Sequence, residues 1–537
     1  MAYPIIKSSS TWFTPNRDTI KRNTITIINI VDSYTPTEAA AVVDSWDASV
    51  AQDGSIMVYV ENTILTIAGN GSGNIKTNED ASWMFSDSND VDFFNLVTSI
   101  NGLNILDTSL AENMSHMFYR CDKLTTIDVS TFNTSNTTNM SYMFGTEYGG
   151  SMGLTSINFG SNFVKSSVTD LSYMFYYCSK LVALDIDDWD ISNVVNMSNF
   201  SRACSKLTTF GTNNLKDWDF GNVIYLDQAF RGLQVMPKLA IENWNVSKVE
   251  TMYCLFTQNT KMFSNLDLKG WNVSNVKDMG FVFWGCKALR TLDCGGWNVS
   301  NVVTFDHFIA QSGGITNFNT TGWNVSSNCK NLNGLFHSYK GTYIDIRGWD
   351  TSNVEVFCQM FDACSNLTKI DGLNELNTSN GRDFTQMFWS TTKLEEMDLS
   401  NFDTRKAVDN YPLGANETFG DGMSGMFASG VHTNLKKIVL GKNFSFNGDG
   451  SLTGGCCAVL PTPSSGCWYT IVGKSYAPAD VPNLTAATYY STEVIVDDLT
   501  VLVTTGLLRG IANAIREKNG STDKYYPNDF AAEILKL

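Results

Sequence analysis

The sequence has few basic residues. It contains 37 Lys and Arg against 54 Asp and Glu, a formal net charge of −17, and no run of Lys or Arg stands out. Nucleic acids and anionic lipid surfaces are recognised by clustered basic side chains. We therefore expect no nucleic-acid partner and no binding to an anionic membrane surface.

Long apolar runs are also lacking. No window approaches 18 apolar residues, so a membrane-spanning helix is not expected. The first residues, MAYPIIKSSSTWFTPNRDTIKRNT, have neither the basic start nor the apolar stretch of a secretory signal. We therefore expect a chain that is made and folded in a cytoplasm, without membrane insertion.

Metal-ligand patterns are absent. The twelve Cys include no C-x-x-C pair, and the four His are far apart in sequence, at His116, His307, His337 and His432. His307 and His337 fall in neighbouring repeats and can approach each other, but two His without a third ligand are a poor metal site. We expect no metal and no cofactor.

The sequence also lacks catalytic motifs. It has no G-x-S-x-G, no P-loop, no H-E-x-x-H and no Cys–His arrangement outside its repeats. A carboxylate pair for glycoside cleavage needs two acids with different pKa values, and identically stacked Asp residues give no reason for such a difference. We do not expect an enzyme.

What the chain does contain is a repeat of about 26 residues. A Phe, preceded by Met or another apolar residue, recurs with steps mostly of 25 to 31 residues; it lies at Phe85, Phe118, Phe144, Phe175, Phe230, Phe256, Phe283, Phe308, Phe336, Phe361, Phe388 and Phe427. A further repeat has its Phe one place early, at Phe200. A period of this length is typical of a solenoid of stacked coils.

Each repeat predicts a short strand and a turn. After the Phe comes C-x-x-L-x-x-L-x-L-x-x-aromatic, as in Cys121 to Phe132, and its alternating apolar residues indicate a strand with one side in the core. Trp-Asn-x-Ser-Asn-Val follows, as in Trp271 to Val276, and Ser and Asn are preferred helix N-caps. We therefore predict a strand, a turn and a short helix in each coil.

The predicted fold is an α/β repeat solenoid, a leucine-rich-repeat-like parallel β ribbon with short helices and about 13 coils, capped at both ends. Residues 1–80 form an N-terminal α/β cap with a helix near residues 37–45, and residues 81–445 form the solenoid. Residues 446–500 form a β-rich cap. Residues 501–537, with apolar residues at helical spacing in LLRGIANAIREKNG, form a helical tail.

The repeats resemble those of BspA-like surface proteins and of mycoplasma surface lipoproteins, whose pattern is W-x-V-S-x-V-x-x-M-x-x-M-F-x-x-C-x-x-L-x-x-L-x-L. The resemblance covers about residues 81–445 and extends to the flanking segments. It implies a leucine-rich-repeat-like fold used in adhesion and in protein or glycan contact at cell surfaces. The chain departs from the bacterial members in having no export signal or lipid-anchor Cys near its start.

The C-terminal segment LLRGIANAIREKNGSTDKYYPNDFAAEIL resembles a short segment of bacteriophage tail and other virion proteins. A virion protein is released by lysis and needs no export signal. The resemblance therefore implies a location in a virion, and the alternative is a bacterial cell surface.

The candidate binding residues lie between the two inward aliphatic residues of each strand. These positions point outward and are mostly acidic: Asp128, Asn158, Asp185, Asp267, Asp293, Asn319, Asp345, Asp371 and Asp398. Stacked carboxylates repel each other, so they favour solvent, cations or the hydroxyl and amine donors of a ligand. The alternative is that they bond to neighbouring backbone and side chains as part of the repeat architecture.

Other recurring residues are expected to be structural. Cys121, Cys178, Cys204, Cys286 and Cys364 share one position and fit a buried ladder, whereas a disulfide among Cys456, Cys457 and Cys467 stays open. Trp189, Trp218, Trp244, Trp271, Trp297, Trp323 and Trp349 favour packing over sugar contact. Trp284 and Trp389 fall outside that row and are predicted to be exposed contacts. The Asn-Val-Ser sequons at Asn245, Asn272, Asn298 and Asn324 are assigned to turns.

Three functions are compatible with this pattern. The first is a bacteriophage virion protein, as a tail fibre, tail tip or head decoration, whose solenoid binds a host surface protein or glycan while its ends contact other virion proteins. The second is a bacterial cell-surface adhesin or interaction protein. The third is a purely structural virion component. The ligand, the attached end and the choice between monomer and homo-oligomer stay open.

Overall fold

The computed structural model describes residues 3–36, 42–89, 91–161, 163–411, 420–427, 434–471 and 474–493. The predicted helical tail at 501–537 lies outside these residues. The helices of the described part are short 3-10 turns, at Ser9–Trp12, Arg22–Thr24, Leu103–Ile105, Leu373–Glu375, Gly454–Cys456 and Pro478–Asp480. Within the same ranges, no helix has the length and apolar character to cross a membrane.

The N-terminal part contains a five-stranded sheet. Its strands are β1 (Ile27–Val31), β2 (Val42–Asp47), β3 (Met57–Glu61), β4 (Ile64–Ala68) and β6 (Ser99–Asn101), in the order β2-β3-β4-β1-β6, while β5 (Ile75–Lys76) pairs with β7 (Leu106–Asp107). The helix predicted near residues 37–45 is wrong in its described part, because β2 pairs antiparallel with β3. Asp44 and Trp46 are buried in alternation, the period of a strand.

One strand in most repeats contributes to a wall of parallel strands, here named the strand wall. Its members are β8 (Thr126–Val129), β9 (Ser156–Phe159), β10 (Ala183–Leu184), β11 (Thr209–Phe210), β12 (Asn265–Asp267), β13 (Thr291–Asp293), β14 (Asn317–Asn319), β15 (Tyr343–Asp345), β16 (Lys369–Asp371) and β17 (Glu396–Leu399). The parallel strands agree with the prediction from alternating residues. They pair in short groups, β8-β9, β10-β11, β12-β13-β14 and β15-β16.

A second wall, here named the turn wall, contains the segment around the recurring Phe, such as residues 113–120, which include Phe118. Parallel bridges connect it from repeat to repeat without a break, through Asp80, Asn113, Asn139, Asp170, Asn196, Tyr225, Thr251, Asp278, Thr304, Asn331, Val356 and Asp383. Alternate N–H groups donate to the next repeat; those of His116 and Phe118 reach the carbonyls of Ser141 and Met143 at 2.8 and 2.9 Å. Consecutive repeats are thus joined by rows of hydrogen bonds, most of which run in one direction, whereas the Asn113 N–H at the start of the segment donates back to Glu79.

The short helix predicted in each repeat is wrong, because this segment forms the turn wall. The residue two places before the recurring Phe, or directly before it at Phe200 and Phe308, has a φ of 49 to 59° throughout: Trp83, His116, Tyr142, Tyr173, Asn199, Gln228, Cys254, Phe281, His307, Gly334, Gln359, Gln386 and Gly425. A left-handed residue in the middle of the segment prevents i to i+4 bonding. The fold is therefore mostly β strand and turn rather than α/β.

The recurring Phe side chains stack behind the turn wall. The rings of Phe85, Phe118, Phe144 and Phe175 are parallel to within 8°, with centroids 5.3, 5.6 and 5.8 Å apart. All four side chains are fully buried. Because each ring contacts the ring of the next repeat, the core is continuous along the stack.

The N-terminal part closes the first repeat. In the turn wall the carbonyls accept from the preceding repeat, and the first repeat has none before it. Here the backbone N–H of Ser9 donates to the carbonyl of Asp80, and the indole Nε1 of Trp12 donates to that of Met84, both at 2.8 Å. These bonds satisfy backbone acceptors that would otherwise be buried without a donor.

At the other end, β17 pairs in parallel with β20 (Lys437–Leu440), which begins a mixed sheet. The sheet has the order β17-β20-β23-β21-β22, with β21 (Trp468–Thr470), β22 (Ser475–Tyr476) and β23 (Ala487–Tyr490). A separate antiparallel pair is formed by β18 (Asp409–Tyr411) and β19 (Gly420–Asp421). The switch to antiparallel pairing covers the edge that the last parallel strand would expose.

Candidate functional site

The predicted row of acidic residues lies on the outer side of the strand wall. Parallel register places Asp267 beside Asp293 and Asn319, and it places Asp345 beside Asp371. The remaining members are separate from these groups: Asp128 is paired with Asn158, Asp398 with Val439, and Asp185 lies just after β10. All seven Asp are exposed or half-buried. The structure therefore brings together four of the seven in two clusters.

These carboxylates have a local structural task. The Oδ1 atom accepts the backbone N–H two residues later in Asp128, Asp267, Asp293, Asp345 and Asp398, at 2.9 to 3.2 Å. Such Asx turns end the strand and redirect the chain. This is the architectural alternative that the sequence left open, and it accounts for one oxygen of each of these five residues.

Cations and amides occupy the other side of the row. Lys269 Nζ lies 3.2 Å from both Asp267 and Asp293, and the amide of Asn319 donates to Asp293 at 2.7 Å. Burial acts to raise the pKa of Asp293, but these donors and the Gly295 N–H hold it below its ordinary value. Asp293 is therefore held as an ionised carboxylate that is partly neutralised by its neighbours.

A groove of about 730 Å³ lies over β12 to β15, where the strand wall is interrupted. Between β14 and β15 the buried Tyr339 takes the place of a strand pair: its hydroxyl lies 3.3 Å from the carbonyl of Thr316 and 3.5 Å from that of Tyr343. Burial raises the pKa of Tyr339, so the hydroxyl keeps its proton and can donate. The floor is thus apolar at Phe318 and Phe336, with hydroxyl groups and carboxylates around it.

The family comparison can now be set beside this geometry. A family model described as "Mycoplasma protein of unknown function, DUF285" matches four overlapping segments, residues 79–209, 148–231, 198–323 and 313–417. Together they span residues 79 to 417, well over half of the chain. The chain belongs to this family. The predicted similarity to mycoplasma repeats is confirmed, whereas no match supports the predicted resemblance of the C-terminal segment to virion proteins.

Two further comparisons add little to the DUF285 assignment. No curated protein matches the chain. A solved leucine-rich-repeat protein from Leptospira interrogans is similar with a TM-score of 0.13 and 11% identity, over 56% of this chain and 90% of that one. A TM-score of this size carries no argument about the fold.

The DUF285 repeat explains the recurring Cys. Each thiol donates to the carbonyl of the preceding repeat's Phe, at 3.0 to 3.3 Å for Cys121, Cys178, Cys204, Cys286 and Cys364. Thr391 makes the same bond at 2.7 Å. Burial raises the pKa of the Cys286 thiol to about 12. The prediction of a core ladder is confirmed, and Cys456, Cys457 and Cys467 are free and half-buried.

The Trp row is buried, as predicted. Neighbouring indoles from Trp244 to Trp349 stack 6.0 to 6.2 Å apart. The Nε1 atoms of Trp271, Trp297 and Trp323 donate to carbonyls of the preceding repeat at 2.7 to 2.9 Å. Trp284 and Trp389, predicted to be exposed contacts, are half-buried: Trp284 packs near Phe281, and Trp389 lies over Gly425.

The two predicted neighbouring His do approach each other, with ring centroids 5.9 Å apart. His307 Nδ1 lies 2.7 Å from Asp306, and His337 Nε2 lies 3.7 Å from Asp362. Burial lowers the pKa of His337 to about 4 and raises that of Asp362 to about 6. The described residues hold no group of three or more His, Cys, Asp and Glu side chains suited to a metal ion.

An asparagine ladder was not predicted. The Asn of the Ser-Asn dipeptide donates from Nδ2 to a Ser carbonyl of the preceding repeat, at 2.7 to 2.9 Å for Asn136, Asn193, Asn275, Asn301, Asn353 and Asn380. Asn222, which follows Gly221, makes the same bond at 2.6 Å. The Asn245, Asn272 and Asn298 side chains accept from the Ser two residues later, so the assignment of these sequons to turns is confirmed. The recurrence of Ser-Asn was the available signal for the ladder.

A second groove was also missed. Two adjoining cavities of about 500 and 490 Å³ share Tyr148, Arg202 and Arg231, and Gln228 and Trp284 line the first. This arginine groove lies along the turn wall. Side chains form its walls, whereas the first groove lies where two strands do not pair. Arg202, Arg231 and Trp284 share one repeat position, but Tyr148 comes from the loop at residues 145–150, which the repeat pattern does not place.

Proposed function

We propose that this DUF285 chain is a non-catalytic binding protein. About thirteen coils stack into a solenoid, capped at both ends, and the strand wall presents its groove to a protein or glycan on a host cell surface. The uninterrupted turn wall, with its thirteen equivalent left-handed positions, supports the stacked arrangement.

The observation that carries this proposal is the groove over the interruption between β14 and β15. It is concave, it combines an apolar floor with hydroxyl and carboxylate groups, and its volume is typical of a ligand site. Asp293 and Asp345 line this groove, and the oxygen that each does not use in its Asx turn is paired with a cation, Lys269 or Arg347, which ligand donors would replace. Ligand hydroxyl and amine donors are the groups that such carboxylates bind.

The location is proposed on other grounds. The resemblance of the C-terminal segment to virion proteins supports a place in a bacteriophage particle, as a tail fibre, tail tip or head decoration in contact with other virion proteins. The family's description as a mycoplasma protein favours the second candidate, an adhesin of a bacterial cell surface. Mass spectrometry of purified particles and of surface-shaved cells distinguishes the two locations.

The test of binding uses charge-removing substitutions that keep the turn. Asp293→Asn and Asp345→Asn retain the Oδ1 acceptor of the Asx turn, so the fold is expected to be unchanged. The matched control is Asp128→Asn with Asp398→Asn, which make the same turn bond outside the groove. Fluorescently labelled full chain is applied to a panel of intact bacterial strains and to a printed glycan array.

We expect saturable binding that the groove variant weakens at least tenfold, while the control variant binds as the natural chain does. Equal binding by both variants, with equal melting temperatures, would overturn the strand-wall site. Absence of binding to every cell and glycan, in a protein recovered from purified particles, would favour the purely structural role.

A further inference from the structure

The arginine groove has a charge pattern unlike the rest of the molecule. The chain carries a net charge of −17, and basic side chains such as Lys269, Arg347 and Arg405 form ion pairs with Asp residues. Arg202 and Arg231 make no ion pair among the described residues. Their guanidinium groups donate instead to neutral amides, Arg202 to Asn199 at 3.2 Å and Arg231 to Gln228 at 2.8 Å.

The two arginines occupy equivalent places in adjacent repeats. The backbone N–H of Ala203, next to Arg202, donates to the carbonyl of Arg231 at 2.8 Å, which places the two segments side by side. Like charges on neighbouring repeats repel each other, and an anion between them removes that repulsion. Nearby Asp227 does not fill this role, because it accepts from the Thr251 hydroxyl and the Tyr253 N–H.

Aromatic side chains surround the pair. Tyr148 is 75% exposed, and the Arg202 guanidinium carbon lies 5.5 Å from its ring centroid and 5.5 Å from that of Tyr176. Across the cavity, Trp284 and Phe281 offer half-buried rings. The groove therefore combines flat apolar surfaces with guanidinium forks, and the amides of Gln228 and Gln258 add neutral hydrogen-bonding groups.

We propose that the arginine groove binds a sugar that carries a carboxylate. The guanidinium fork matches a carboxylate with two parallel hydrogen bonds, the aromatic rings pack against the apolar face of a sugar ring, and the glutamines bond to hydroxyl or acetamido groups. A volume of about 500 Å³ accommodates one or two sugar rings. An extended polyanion is disfavoured, because the surrounding protein is strongly acidic.

This site is separate from the groove over β12 to β15, so the two proposals fail independently. The Asp293→Asn and Asp345→Asn variant should keep sugar-acid binding. The arginine variants described next should keep the apolar floor and carboxylates of the strand-wall groove.

The experiment measures binding of N-acetylneuraminic acid and of glucuronic acid to the full chain by calorimetry, with neutral N-acetylglucosamine and glucose and with inorganic phosphate as comparisons. The variants are Arg202→Gln, Arg231→Gln and Trp284→Phe. Arg290→Gln is the matched control, since Arg290 lies at the strand wall and bonds only to the carbonyls of Lys287 and Leu289 within its own turn. Melting temperatures show that each variant is folded.

We expect at least one sugar acid to bind, each Arg→Gln variant to weaken it tenfold or more, and Arg290→Gln to leave it unchanged. Arg231→Lys retains the charge without the fork and should bind with intermediate affinity. Binding of the neutral sugars with equal affinity would overturn the role of the arginines. Equal binding of phosphate and the sugar acids would overturn the role of the rings, and no binding of either sugar acid would overturn the site.

Discussion

The strand wall and the turn wall run through the same repeats but differ in continuity. Parallel pairing in the strand wall stops after β9, β11, β14 and β16, whereas the bridges of the turn wall continue from Asp80 to Asp383. The turn wall has several N–H donors per repeat directed at the next repeat, and the Phe stack lies directly behind it. Cohesion between repeats therefore resides mainly in the turn wall, which leaves the strand wall free to open into a groove.

The largest expected effect comes from breaking the Phe stack. Phe118→Ala removes a buried ring that stacks on Phe85 and Phe144, and it should cost about 3–5 kcal/mol of unfolding free energy. Ile127→Ala, in the strand wall of the same repeat, removes a smaller buried side chain from a strand paired with β9, and it should cost less, at the lower end of about 2–5 kcal/mol. Urea unfolding followed by circular dichroism measures both.

These two variants test the comparison between the turn wall and the strand wall. If Ile127→Ala destabilises the chain as much as Phe118→Ala does, the strand wall contributes as strongly to cohesion as the turn wall. A conservative Phe118→Leu variant, which retains most of the buried apolar volume, should fall between natural chain and Phe118→Ala.

The left-handed positions of the turn wall give the next effect. Besides the position before the Phe, a second left-handed position follows it, and Ala363, two places after Phe361, has a φ of 56° there. Ala363→Gly should stabilise the chain by up to about 1 kcal/mol, and Ala363→Val should destabilise it by about 1–2 kcal/mol, because only Gly adopts this conformation without strain.

Ala288 provides the control for that substitution. It is half-buried like Ala363 but has no positive φ. Ala288→Gly should therefore destabilise the chain, by roughly 0.5–1 kcal/mol. Thermal melts measure the change in melting temperature for both variants. If Ala363→Gly and Ala288→Gly shift it in the same direction, the assignment of strain to the turn wall is contradicted.

A smaller effect is expected where the Cys thiol donates to the Phe carbonyl of the preceding repeat. Cys286→Ala removes the thiol that donates to the Phe256 carbonyl at 3.2 Å and should cost about 1–2 kcal/mol. Cys286→Thr should recover at least half of this loss, because Thr391 makes the equivalent bond to Phe361. Thermal melting under reducing conditions compares the two variants. A Thr variant no more stable than the Ala variant would contradict a stabilising role for this hydrogen bond.

The same contrast between walls explains what could be predicted. Strand positions, the Cys ladder and the Trp row follow from alternation and period, because inward residues must be apolar in every repeat. The turn wall could not be recognised: Ser-Asn followed by Met at spacings of three is the pattern of an N-capped helix, and the left-handed positions carry residues as different as Trp83, Gln228 and Phe281. Asn199, Gly334 and Gly425 are of types that favour a positive φ, but most of the other residues at this position are not, so the sequence does not mark it in every repeat.

The binding surfaces were predicted in part for a related reason. Outward Asp residues recur in frame and are visible in the sequence. The groove depends on an interruption that Tyr339 fills from the repeat position that Cys occupies in other coils, and the sequence does not show that a Tyr there separates two strands. The arginine groove depends on Tyr148, which lies in another insertion. Departures from a repeat are positioned by tertiary contacts, so their neighbours cannot be inferred from the period.

The smallest expected effect is a pH dependence in the turn wall. His116 stacks between Trp83 and Tyr142, with ring centroids 3.9 and 4.6 Å away, and burial lowers its pKa to about 4. Between these two pKa values, the His of the unfolded chain, with a pKa near 6.5, is protonated whereas His116 of the folded chain stays neutral. The contribution of this site to stability is therefore complete above pH 6.5 and declines as the pH falls toward 4. His116→Tyr keeps a stacked ring, as Tyr142 and Tyr173 do in the next repeats, and should flatten the decline by roughly 1 kcal/mol over this range. Urea unfolding at pH 7, 5.5 and 4.5 measures this slope, and parallel curves for the two proteins would show that His116 is protonated without cost in the folded chain.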